Sequence, residues 1–261
     1  MATEPVDPDV EAHWREALTR GHGHSRASRR FFGRLPSEPR CKGCNSPFRG
    51  LGGRLVAPFG FKPSRKNPNF CARCFERMPR GGAEVDLAIL FADVSGSTGL
   101  AEGMNSTEYA SLLDRFYHAA TRVMVGHDAV IDKFIGDEVM ALFFPGMCGE
   151  HYRRNAIECA VDMLHAVGYG SASVPWIPIK IGVHAGRAYA GNVGSDSMFD
   201  LTALGDTVNV AARLQGVAEA GQIVMGEGVY QEVREQFPSL REQTIEVRGK
   251  EEPVAVRSLQ M

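Results

Sequence analysis

The sequence has no apolar run near the roughly 18 residues that a membrane-spanning helix needs, which excludes a helical integral membrane protein. Its first 20 residues carry acids and prolines where a secretory signal would be apolar, so a cytoplasmic location is expected. A disulfide scaffold is also missing. Of six cysteines, Cys148 and Cys159 stand alone in apolar segments, and the other four form two closely spaced pairs. No internal repeat occurs. What is present is an ordinary globular composition, 44% apolar over 261 residues, enough for one substantial core and a smaller accessory module.

The net charge of −2 conceals an asymmetry: residues 1–82 carry +9 and residues 83–261 carry −11. A basic half of this kind suits nucleic acid or anionic lipid, docking on the acidic half, or plain solvation. Residues 9–20 fit a short amphipathic helix around Trp14 and Leu18, followed by a glycine- and histidine-rich stretch and a basic run without apolar periodicity. We therefore expect a flexible basic segment over 1–34, a small module organised by cysteines over 35–80, and a larger domain over 83–261.

After Gly82 the pattern is of the α/β (α+β) type. Residues 85–92 form a nearly continuous apolar run, as in a buried strand, ending in Asp93 and a loop rich in glycine, serine and threonine. A helix is expected from Ser106 or Thr107 as N-cap, with Glu108 in its first turn. Residues 129–135 and 138–144 read as a hairpin turning at Gly136-Asp137. Further helices are expected over 150–168 and 206–219, the latter capped by Asp206, with two strands over 177–194 broken at Gly186.

Two carboxylates delivered at a strand end and a hairpin tip suit hard divalent cations, which prefer carboxylate oxygens. An isolated aspartate at either place usually has a local turn or capping role. The small residues of 95–99 let backbone N–H groups approach phosphate oxygens. Asn209 and Arg213, four residues apart on an expected helix, share one face.

Phe91-Ala92-Asp93-Val94-Ser95-Gly96-Ser97-Thr98, Lys133-Phe134-Ile135-Gly136-Asp137-Glu138 and the segment from Thr202 to Arg213 resemble, in order, three motifs of the class III nucleotidyl cyclases. The resemblance covers roughly residues 83–258. It implies a ferredoxin-like, palm-type catalytic domain with a mostly antiparallel sheet flanked by helices. It further implies two Mg²⁺ or Mn²⁺ ions held by Asp93, Asp137 and the Val94 carbonyl, and a phosphate-binding loop at Gly96, Ser97 and Thr98. Lys133 and Thr202 fall on the base-recognising positions, Asn209 and Arg213 on the catalytic ones, and Arg248 on a strand-end position that contacts the triphosphate, with Lys250 as its alternative. Lysine has only donors and suits adenine N1, and Thr202 can accept from N6. The implied substrate is ATP, with GTP as the alternative. The implied assembly is a head-to-tail homodimer with shared sites and no membrane span.

Cys41-x₂-Cys44 and Cys71-x₂-Cys74, 26 residues apart, suit a tetrahedral Zn²⁺ site of the ribbon type, with iron or redox-active thiols as alternatives. A rival reading of the whole chain is a nucleic-acid-binding regulator whose cyclase-like domain serves as a degenerate nucleotide sensor. The unbroken set of Asp93, Lys133, Asp137, Asn209 and Arg213 speaks against it, and nucleic acid is not an expected partner.

Overall fold

The apolar run after Pro79 becomes a central strand buried on both faces. In the computed structural model, which describes residues 7–21, 31–32, 34–35, 39–171, 174–194, 199–246 and 253–261, that strand is β1, Gly81–Val94. Before it come α1 (Pro8–Arg20), α2 (Gly50–Val56) and α3 (Ala72–Glu76). After it come α4 (Ser97–Glu102), α5 (Ser106–Gly126), β2 (Val130–Ile135), β3 (Glu138–Phe143), α6 (Pro145–Cys148), α7 (Tyr152–Val167), β4 (Ile179–Gly194) and β5 (Phe199–Leu204). The chain continues through α8 (Asp206–Val217), β6 (Gln222–Gly226), α9 (Glu227–Tyr230), β7 (Glu242–Ile245) and β8 (Val254–Gln260).

Successive side chains of a strand point to opposite faces, so an apolar residue at every position requires cover on both. Ala88, Leu90, Ala92 and Val94 enter a core with Phe116, Ala120 and Met124 of α5 and Ile157, Ala160 and Leu164 of α7. Val85, Leu87, Ile89 and Phe91 enter a second core with Trp14 and Leu18 of α1, Phe70, Phe75 and the four paired cysteines. The helix expected over 9–20 is thus present and packed on the sheet. Pro8 opens it, and Asp7 caps it by accepting from the Asp9 N–H at 3.0 Å. The basic residues 22–30 lie outside the described residues.

The eight strands run in the order β2-β3-β1-β4-β6-β8-β7, with β5 paired to β4 beside that path. Every pair is antiparallel except β4 with β6. This is the mostly antiparallel sheet with flanking helices that the motifs imply. Among the described residues no helix is long and apolar enough to cross a membrane.

Three local expectations are corrected. Strand β4 is unbroken at Gly186, which pairs with Leu87 in a continuous ladder. A Cβ at 186 would lie 3.0 Å from Thr207 Oγ1, so the glycine is there to let α8 approach the strand. Helix α8 has Gly205 as its N-cap, and Asp206 occupies the first turn, where a negative charge favours the helix dipole. Helix α5 is capped by Asn105, whose side chain accepts from the Thr107 and Glu108 N–H groups at 3.0 Å, while Glu108 accepts from the Asn105 N–H at 3.1 Å. Asn105→Ala is expected to cost about 1 kcal/mol, read in urea as a lower midpoint with an unchanged slope.

Candidate active site

Strand β1 ends between two neighbours that carry charge: Asp93 lies opposite Glu138 of β3 and Lys180 of β4. The β2–β3 hairpin turns through Gly136, with φ +62°, and Asp137. The Val94 N–H donates to the Asp137 carbonyl at 3.3 Å, fastening the hairpin tip to the end of β1. Both expected carboxylates are therefore brought together, and the hairpin forms as its sequence suggests.

Burial, then the nearby Asp137 charge, pushes the Asp93 carboxyl above the usual range. Lys180 Nζ, 3.5 Å from Oδ2, opposes this, and Gln215 Nε2 donates to the same oxygen at 2.9 Å. Glu138 is raised by burial and by both aspartates. Tyr109 of α5 is raised by burial and then by Asp137 and Asp93, with Ser97 opposing. Three neighbouring carboxylates, of which Asp93 and Glu138 are both pushed up, with Lys180 as the counter-charge, fit a site that takes up hard divalent cations. Gly96, at φ +68°, caps the six-residue helix α4, so Ser97 and Thr98 are helical rather than part of an open loop.

The base-recognising residues also meet. Strand β5, paired to β4, shares a core with Val130, Met140 and Leu142 through Leu201 and Ala203. Lys133 Nζ donates to Thr202 Oγ1 at 3.1 Å. Between them sits a residue that the motifs do not single out. Asp132 occupies a β-bulge between Ile131 and Lys133, accepts from Thr202 Oγ1 at 2.6 Å through Oδ2, and lies 2.9 Å from Lys133 Nζ through Oδ1. Burial raises its pKa, against the Thr202, Lys133 and Ala203 donors.

Asn209 and Arg213 are exposed on α8. Gln215 of the same helix is buried against Asp93. At about 100° per residue, Gln215 lies roughly 200–240° around the helix from them, so they face away from the Asp93 of their own chain. Arg248 and Lys250 lie outside the described residues.

The four paired cysteines converge, their sulfurs all within 4.8 Å of one another, and all four are unbridged. Cys44 Sγ and Cys71 Sγ are 3.8 Å apart, close to the edge of a tetrahedron with Zn–S bonds of about 2.3 Å. Hydrogen bonding among the sulfurs pushes the Cys41 and Cys74 thiols up and the Cys44 and Cys71 thiols down. The cysteine region docks on the acidic half of the chain, with Lys42 Nζ 2.6 Å from Asp128 and Lys66 Nζ 2.8 Å from Asp200.

Lys180, Gln215, Tyr109 and Asp132 escaped the sequence reading.

The adenylate and guanylate cyclase catalytic domain matches residues 83–257. An adenylate cyclase of Anabaena cylindrica is 32% identical over 181 residues, which is 65% of this chain and 36% of that protein. The chain thus spans about a third of that relative's length. Among solved structures, the adenylyl cyclase CyaB of P. aeruginosa superposes with a TM-score of 0.60 at 24% identity, over 69% of this chain and 96% of that one. The guanylyl cyclase Cya2 superposes with a TM-score of 0.61 at 25% identity, over 68% and 93%. With the fold, the paired carboxylates and the motif order in agreement, the chain belongs to the adenylate and guanylate cyclase catalytic-domain family, the class III nucleotidyl cyclases.

Proposed function

We propose that this chain converts ATP to 3′,5′-cyclic AMP and pyrophosphate, at sites shared between two copies of itself in a head-to-tail homodimer. The observation that carries the choice of base is the 3.1 Å contact between Lys133 and Thr202, which sets a donor beside an acceptor. Adenine presents the complement, an acceptor at N1 and a donor at N6, and guanine presents the reverse.

Asp93, Asp137 and the Val94 carbonyl would hold two Mg²⁺ or Mn²⁺ ions, which supply the Lewis acidity that lowers the pKa of the ribose 3′-hydroxyl and offsets triphosphate charge. That hydroxyl gives its proton to solvent water, and its oxygen bonds to the α-phosphorus as the bond from that phosphorus to the oxygen bridging to the β-phosphate breaks, releasing pyrophosphate. Asn209 orients the ribose, and Arg213 meets charge developing on the α-phosphate. Gly96, Ser97, Thr98 and Arg248 contact the phosphates.

Sharing of sites is supported by α8, whose Asn209 and Arg213 face away from the carboxylates of their own chain. Apolar surface at Phe134 and Ile135 of β2, Leu204 of β5 and Val217 of α8 is left exposed and suits burial against a second copy. The cysteine cluster is assigned to a structural Zn²⁺ in a module over residues 35–80, in a cytoplasmic protein whose catalytic domain spans 83–261. Four thiolates leave no open position, so that ion organises structure only.

Incubation with ATP or GTP plus Mg²⁺ or Mn²⁺, with chromatographic identification of products, tests the reading. Cyclic AMP is expected, with kcat/KM for ATP at least about tenfold above GTP. Preferential cyclic GMP would reverse the base assignment. Folded protein yielding no cyclic nucleotide would favour a nucleotide sensor.

A further inference from the structure

We infer that Asp132 sets the purine preference by fixing the direction of the Thr202 hydroxyl, as a positioning residue that itself stays out of reach of the base. The inference rests on the reading of Lys133 and Thr202 as the base-contacting pair.

A threonine hydroxyl has one proton and two acceptor positions, and its rotation normally lets it donate or accept. Left to rotate, Thr202 would accept the N6 amino group of adenine or donate to O6 of guanine, and so discriminate weakly. Its proton is committed here. Oγ1 donates to Asp132 Oδ2 at 2.6 Å, within the short range of hydrogen bonds to an ionised acceptor. One of its acceptor positions takes a proton from Lys133 Nζ at 3.1 Å. A single acceptor position remains, and nothing with which to donate.

Lys133 has only donors to offer. One ammonium proton goes to Thr202, and Asp132 Oδ1 lies 2.9 Å from Nζ as an ion pair without a hydrogen bond, which holds the ammonium in place and leaves it donor capacity for a base. The cluster therefore offers a donor and a single acceptor side by side, matching adenine N1 and N6. Guanine in the same pose sets N1–H against the ammonium and O6 against a lone pair.

The β-bulge makes this possible. In a regular strand, residues 132 and 133 would point to opposite faces and could not address one hydroxyl. The register shift between Ile131 and Lys133 re-aims them, so both side chains reach Thr202 Oγ1. The Asp132 side chain has 0% exposure, so it acts through Thr202 and not by touching substrate.

Asp132→Asn keeps the shape but can turn an N–H toward Thr202 Oγ1, which frees the hydroxyl proton to point outward. Asp132→Ala frees it by removing the acceptor. Both are expected to lower the ATP-to-GTP ratio of kcat/KM by about tenfold or more, mainly through KM. In a Thr202→Val background the same substitutions should leave the ratio unchanged, because the hydroxyl they act through is gone. A purely structural role for Asp132 would reduce both substrates alike in either background.

A measurement on the unaltered protein keeps the inference testable should the variants fail to fold. If Thr202 only accepts, purine riboside triphosphate, bare at position 6, should compete better against ATP than its 6-methoxy derivative, which adds an acceptor there. The opposite order overturns the inference. So do Asp132 variants that keep the wild-type ratio while the wild type selects ATP, a result that leaves the adenylate cyclase reading standing. Wild-type protein that makes no cyclic AMP overturns both.

Discussion

Asp93→Ala protein and Asn209→Ala protein are each expected to lose on the order of 10²–10³-fold in kcat, and an equal mixture to recover about a quarter of wild-type activity. The recovery follows from the geometry of α8. Gln215 anchors one side of that helix to Asp93 of the same chain, and Asn209 and Arg213 occupy the other side. In the proposed homodimer a complete site would take its carboxylates from one chain and its Asn209 and Arg213 from the other. Random exchange makes half of the dimers mixed, and each mixed dimer has one site with neither substitution and one with both. Asp93→Ala also removes one of three crowded carboxylates, so its melting temperature should stay near the wild-type value while activity is lost. If mixing under conditions of demonstrated subunit exchange restores nothing, the shared-site assembly falls.

Much of the frame was legible in the sequence for a simple reason: it depends on patterns local to each element. Strand β1 is apolar at nearly every position because both faces are covered, and the Gly136-Asp137 turn sits between two apolar runs, so strand and hairpin announce themselves. Asp93 and Asp137 were legible only through the company of their motifs, because an aspartate at either place is ordinary. What stayed hidden depends on approach between elements distant in the chain. Gly186 looks like a strand breaker, yet its reason is Thr207 on α8 packing against an unbroken strand. Gln215 and Lys180 matter because α8 and β4 present them to Asp93, which no spacing reveals. Asp132 was hidden by alternation itself, since a regular strand would aim it away from the side that Lys133 serves. The +9 of the first 82 residues left docking open as one reading, and Lys42 with Asp128 and Lys66 with Asp200 give it a structural basis.

Cys41→Ser or Cys74→Ser, or removal of metal by a chelator, is expected to cost at least about 3 kcal/mol, lowering the melting temperature by roughly 6–12 °C, and to raise KM for ATP more than it lowers kcat. The reason lies in what the chain between the two cysteine pairs holds in place. Strand β2 is an edge of the sheet, and its outer backbone groups need partners. Asn67 Nδ2 donates to the Ile131 carbonyl at 3.2 Å, and Asn69 Nδ2 donates to the Ala129 carbonyl. Both asparagines are buried, so losing these acceptors would strand polar groups away from water. Their contacts fall immediately before the bulge that positions Asp132 and Lys133, while Lys66 from the same loop pairs with Asp200, two residues before Thr202. With metal bound, the loop clamps both strands of the base-reading cluster. Without it, four sulfurs within 4.8 Å lose the cation that holds them together, and Phe70 and Phe75 lose their place in the second core. The loss therefore reaches purine binding first, whereas the carboxylates at the other end of β2, fastened by the hydrogen bond from Val94 to Asp137, keep their arrangement. Metal analysis should find one zinc per chain, and the variants should bind less. Well-folded protein without metal, melting at the wild-type temperature and with the wild-type KM, would show that the cysteines have no such role.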